Sequence, residues 1–115
     1  MSYDLSISVK AEGCGKFVEI AEPEYDSPTY NLGAMFRACT GWDFSQSEYY
    51  KCSDVIMKIE RGIRELRFNT NQYVQYEAKN GWGTVPTAIR TLEGLRDCIY
   101  EQAEDIPIDC LYVRW

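Results

Sequence analysis

Apolar and polar residues alternate over residues 3–9, with Tyr3, Leu5, Ile7 and Val9 on one side of an extended chain and Asp4, Ser6 and Ser8 on the other. This spacing predicts a half-buried strand. Glu12-Gly13-Cys14-Gly15 supplies a turn, and Phe17-Val18-Glu19-Ile20 is β-rich enough to return as the second strand of a hairpin. Pro23 and Pro28 then interrupt regular structure, so residues 22–29 are expected to form a loop.

Over residues 31–39, Leu32, Met35, Phe36 and Cys39 fall on one side of a short helix that Gly41 would end. Ser45 and Glu48 have the spacing of a capping box. After them Cys52, Val55, Ile56, Ile59, Ile63 and Leu66 recur every three or four residues, the strongest helical stripe in the chain. On its outer face Glu60 and Arg64, like Arg61 and Glu65, stand four apart and are placed to pair. Residues 70–76 predict one or two further helical turns. Thr84 caps a last helix with Pro86 in its first turn and Val85, Ile89, Leu92, Leu95 and Ile99 as its apolar stripe. Pro107 stops it, and residues 109–115 alternate again, with Leu111, Val113 and Trp115 facing one way.

Two amphipathic helices cannot hide their stripes from water alone, and a sheet with one apolar face supplies the missing surface. The expectation is a single α+β domain over residues 1–115. Its three-stranded antiparallel sheet, the N-terminal hairpin plus the C-terminal strand, packs against two main helices and one or two short ones.

The length of 115 residues suits one core, and 45% hydrophobic residues without a low-complexity run mark a globular chain. No apolar stretch approaches the roughly 20 residues that cross a bilayer, and Met1-Ser2-Tyr3-Asp4 lacks a basic leader, so a cytoplasmic location is expected. The five cysteines, Cys14, Cys39, Cys52, Cys98 and Cys110, include no C-x-x-C pair and are expected to be reduced, buried hydrophobes. The chain has no histidine, which removes Cys-His and Ser-His-Asp catalysis and every Cys/His zinc site. Paired carboxylates or lysine remain open to a hydrolase, but neither Glu104-Asp105 nor Glu22-x-Glu24 has the spacing of a calcium loop. No enzyme activity, cofactor or metal is expected.

The net charge of −6 is segregated. Residues 1–30 hold six acids against Lys10 and Lys16, residues 31–96 hold seven acids against nine bases, and residues 97–109 hold five acids and no base. Pairing of the last strand with the N-terminal hairpin would draw Glu19, Glu22, Glu24 and Asp26 towards Glu101, Glu104, Asp105 and Asp109. Such a zone either keeps the protein soluble or occupies a basic nucleic-acid groove as a phosphate decoy, repelling nucleic acid itself. Lys58, Arg61, Arg64 and Arg67 form a basic face on the long helix, which the interleaved Glu60 and Glu65 make a solvated one. Nine tyrosines and three tryptophans are more than a small core needs; Tyr49, Tyr50, Tyr73 and Tyr76 lie outside the apolar stripes and either contact a partner or cover helix ends.

Asn80-Gly81-Trp82-Gly83-Thr84 sets an indole between two glycines before a helix, as a core plug or an exposed anchor. Gly81-x-Gly83 follows no predicted strand and lacks the lysine of a phosphate loop. Together with Ser2-Tyr3-Asp4-Leu5, Thr29-Tyr30-Asn31-Leu32-Gly33-Ala34-Met35, Gly62-Ile63-x-x-Leu66 and Tyr73, this segment resembles small proteins of unknown function from bacteriophages and mobile elements. The resemblance implies an inhibitor of host defence, such as an anti-CRISPR protein, that acts by binding. The expected partner is a host protein or ribonucleoprotein defence complex, with no direct nucleic-acid or membrane contact. A phage structural or assembly module that self-associates or binds virion proteins, and a small carboxylate-based hydrolase, are the alternatives.

Overall fold

The computed structural model describes residues 5–11, 13, 15–23, 32–77 and 83–115. The strand at Tyr3 and Asp4, Cys14, most of the loop carrying Glu24 and Asp26, and Asn80-Gly81-Trp82 lie outside the described residues. The described chain is α+β. Strands β1 (Ser6–Lys10) and β2 (Phe17–Ala21) form the hairpin, α1 (Gly33–Thr40) follows, and β3 (Tyr49–Lys51) leads into α2 (Cys52–Phe68). The short α3 (Thr70–Tyr73) continues into a 3-10 turn at Val74–Tyr76; then come α4 (Val85–Ala103), a second 3-10 turn at Ile108–Cys110 and β4 (Leu111–Arg114).

All neighbouring strands in the sheet are antiparallel, in the order β2-β1-β4-β3. As expected, β4 lies beside β1, with Ile7 opposite Val113 and Val9 opposite Leu111. Among the described residues the sheet has four strands where the sequence predicts three. The additional strand, β3, is only three residues long and joins α2 directly, so neither alternation nor a turn announces it. The Ser45/Glu48 capping box is not formed either. The helix starts at Cys52 after Lys51, with no side-chain cap, and Ser45 instead donates its N–H (3.1 Å) and hydroxyl (2.5 Å) to Asp43 Oδ1. These bonds and one from Gln46 hold the Asp43 carboxyl below its ordinary pKa.

The apolar stripes are placed as their periodicity demands. Every α2 stripe residue is buried, with Gly62 among them, and so are Val85, Leu92, Leu95 and Ile99 of α4, while Ile89 is half-buried. Leu32, just before α1, and Met35, Phe36 and Cys39 within it are buried, and Gly41 ends the helix at φ +71°, donating its N–H to the carbonyl of Arg37. Thr84 caps α4 through Thr87 N–H, and Glu77 adds a second cap by accepting from Val85 N–H at 2.8 Å.

The serines of β1 depart from the half-buried reading: Ser6 and Ser8 are 3% and 2% exposed. Their face also carries Phe17, Tyr49 and Tyr112; Phe17 stacks on Tyr49 at 3.8 Å and meets Tyr112 edge-on at 4.9 Å. This aromatic lid takes the place of solvent, and only the tertiary fold brings together rings more than thirty residues apart in sequence. On β2, Val18 and Ile20 remain exposed.

Burial raises the thiol pKa of Cys39 and Cys52 to about 12 and of Cys98 to about 11, so these are inert packing groups, as expected. Cys110 is the correction, because it is exposed. A thiol reagent at pH 8 should therefore label Cys110 in the folded protein and leave Cys39, Cys52 and Cys98 unmodified, as read by peptide mass spectrometry; rapid labelling of Cys52 would contradict its burial. The pH dependence follows in sign. The raised thiol pKa values stabilise the fold fully below pH 9, and that contribution is lost progressively as pH rises towards 12. Denaturant titrations at pH 8 and pH 10.5 should show the fall, by at most about 1.4 kcal/mol per thiol per pH unit.

Candidate acidic interface

The polar side of α4 opposes its apolar stripe and presents Arg90, Glu93, Asp97 and Glu101 at intervals of three and four residues. The end of β2 leads to Glu22 and Pro23, and these residues with Gly94 and Cys98 line one open groove of about 480 Å³. The structure thus brings Glu22 and Glu101, seventy-nine positions apart, to a common surface. Glu93 and Asp97 join them. Sequence reasoning missed both, although their helical spacing with Glu101 was there to find them.

The groove's carboxylates are not equivalent. Glu93 accepts from Arg67 at 2.7 Å and lies 3.8 Å from Arg96, and Arg96 Nε donates to Asp97 at 3.0 Å. Those two acids are largely neutralised. Glu22 and Glu101 form no ion pair among the described residues and are exposed, so their charge faces outward. Beyond Glu101, the turn that ends α4 exposes Glu104 and Asp105, and the following 3-10 turn exposes Asp109. Glu19, also exposed, sits on β2 opposite Ser8.

Cys98 reaches the groove wall, but burial and the nearby Glu101 keep its thiol protonated, so it is not a nucleophile at neutral pH. Among the described residues no group of three or more Asp, Glu, Cys or His side chains could hold a metal ion. No helix of the described chain is long and apolar enough to cross a membrane.

The tyrosines separate. Tyr73 is buried, stacks on half-buried Tyr76 at 6.2 Å and donates its hydroxyl to Glu65 Oε2 at 3.3 Å; it is a core residue with little surface for a partner. Desolvation, then the Glu65 charge, raises its pKa. Tyr50 meets Trp42 edge-on at 5.1 Å and exchanges hydrogen bonds with Ser47 N–H and the Asp43 carbonyl. Tyr49 belongs to the lid over the serines. Both are half-buried and internally engaged.

The charge pairs expected along α2 are absent too. Glu60 accepts instead from Tyr100 Oη at 3.2 Å, and Glu65 from Asn69 Nδ2 at 2.7 Å. Exposed i,i+4 ion pairs are worth only about 0.3–0.5 kcal/mol, so Tyr100 of α4 takes Glu60, and Asn69 and Tyr73 beyond the end of α2 take Glu65. None of the family models, curated proteins or solved structures with which the chain was compared matches it.

Proposed function

We propose that this chain is a non-enzymatic, phage-type inhibitor that binds a host nucleic-acid-handling defence complex, such as a CRISPR effector, and blocks access of nucleic acid. One observation carries the reading: Glu22 and Glu101, without ion-pair partners among the described residues, share a groove from which Glu104, Asp105 and Asp109 continue an outward negative surface. A row of carboxylates meets a Lys/Arg channel with the charge complementarity that phosphates use, and needs no reaction to exclude them. Tyr76 packs against the core and stacks on Tyr73, and as a half-buried ring away from the sheet it keeps some surface for a partner.

The test is capture of the defence nuclease from bacterial cytosol at low and at physiological salt, with the triple variant E101K/E104K/D105K alongside. The parent should capture a nuclease complex at low salt and release it as the Debye length falls to about 8 Å. The variant should lose binding about tenfold or more while keeping the parent's melting curve, because all three side chains are exposed. Undiminished capture by the folded variant would remove the acidic surface from the mechanism.

A further inference from the structure

On α2 the helical pitch places Met57, Arg61, Arg64 and Phe68 in one line at the pole opposite the buried stripe. Phe68 and Met57 are the two most exposed of the large hydrophobic side chains described, at 79% and 68%. Eleven residues at about 1.5 Å rise separate them by roughly 16 Å. Between them stand Arg61 and Arg64, exposed and without an ion pair among the described residues, because Glu60 and Glu65 are held by Tyr100, Asn69 and Tyr73. Two apolar anchors flank two exposed arginines, of which Arg61 reaches back so that its Nη1 would lie 2.9 Å from a Cβ at Gly41, and the four form a docking ridge opposite in sign to the net charge of the molecule.

The same chain carries the complement. The segment after α4 exposes Glu104, Asp105, Pro107 and Asp109, three carboxylates and one apolar ring within six residues of turn and 3-10 helix. Ridge and acidic turn carry opposite charge on the same protomer, so each copy offers both halves of a reciprocal two-fold contact. We propose that the outer ridge of α2 receives the acidic 104–109 turn of a second copy, forming a two-fold dimer. A net charge of −6 disfavours a nucleic-acid occupant. A dimer of this kind covers Glu104, Asp105 and Asp109, so it competes with any other ligand of those carboxylates. The contact is measured on the purified chain alone and stands or falls independently of the inhibitory reading.

Sedimentation equilibrium over a wide concentration range, at low and high salt, tests it. The parent should move from monomer to dimer mass with concentration, and about 0.5 M salt should weaken the association tenfold or more. R61E/R64E and E104K/D105K should each remain monomeric, F68S should weaken the dimer, and an equimolar mixture of the two charge-reversed variants should restore a mass of two chains. Circular dichroism melts identify any variant that fails to fold, in which case the mixture with a single reversal, R64E with D105K, gives the answer. Monomer mass for the parent throughout, or no recovery in the mixture of folded variants, overturns the proposal. So does loss of binding to a single-stranded oligonucleotide in R61E/R64E with self-association unchanged, which would assign the ridge to phosphate.

Discussion

Gly62→Leu should abolish the folded state of this domain or leave it with only residual stability at 25 °C. A Cβ at position 62 would stand 2.5 Å from Thr40 Cγ2, 3.0 Å from Leu92 Cδ1 and 3.3 Å from Cys39 Sγ, so α1 and α4 both close on α2 at this residue. Thr40 cannot turn aside freely. Its hydroxyl donates to the Phe36 carbonyl at 2.6 Å and accepts from Trp42 N–H at 3.0 Å. Leu92 and Cys39 are fully buried. Even Gly62→Ala must separate the helices: its gain in helix propensity of about 1 kcal/mol is set against about 1–3 kcal/mol of overpacking, for a net loss of up to roughly 2 kcal/mol. The bulk of leucine has no space at all, and a loss well above 3 kcal/mol is expected against a total of about 5–15 kcal/mol for a domain. Urea unfolding of the parent, G62A and G62L gives the order directly. An alanine variant more stable than the parent would show that the helices do not touch here.

Trp115→Ala is expected to lower stability by about 3 kcal/mol, with a fall in Tm of roughly 10 °C. The indole stacks on Phe44 at 4.6 Å and meets Trp42 and Phe36 edge-on at 4.9 and 5.3 Å. Its main-chain N–H donates to the Glu48 carbonyl at 3.3 Å, just ahead of β3. The ring therefore joins the last strand to α1 and to the segment before α2, and its loss opens a gap between three elements. Trp115 is half-buried, which keeps the effect at the lower end of the range for aromatic truncations. Trp115→Phe should recover more than half of it. A loss below about 1 kcal/mol in the alanine variant would mean that Trp42 and Phe44 close the gap by themselves.

The candidate site was legible to an unequal degree. Counting acids located charge at Glu101, Glu104, Asp105 and Asp109, all of which are exposed, and the antiparallel return of β4 beside β1 was sound. Counting did not reveal which carboxylates keep their charge. Glu93 and Asp97 share the groove but are neutralised by Arg67 and Arg96, one of them from another helix. The tyrosines show the same limit, because exclusion from an apolar stripe does not imply exposure: Tyr73 closes the core beside the end of α2, and Tyr49 finds Phe17 across the sheet.

The elements whose signal is local were determined by the sequence itself. The stripe from Cys52 to Leu66, the Thr84 cap with Pro86, the turn-forming Gly41 and the alternation in β4 each follow from dihedral preference or from the pitch of a helix or strand. Only the tertiary structure decided what depends on distant neighbours. β3 exists because β4 offers its edge to residues 49–51; without that pairing, three residues cannot hold an extended conformation. Ser6 and Ser8 are buried because an aromatic lid arrives from β2, β3 and β4. Glu60 leaves Arg64 for Tyr100 of α4, and Glu65 leaves Arg61 for Asn69 and for Tyr73, whose buried ring holds its hydroxyl in place; an exposed i,i+4 ion pair is worth too little to keep either carboxylate.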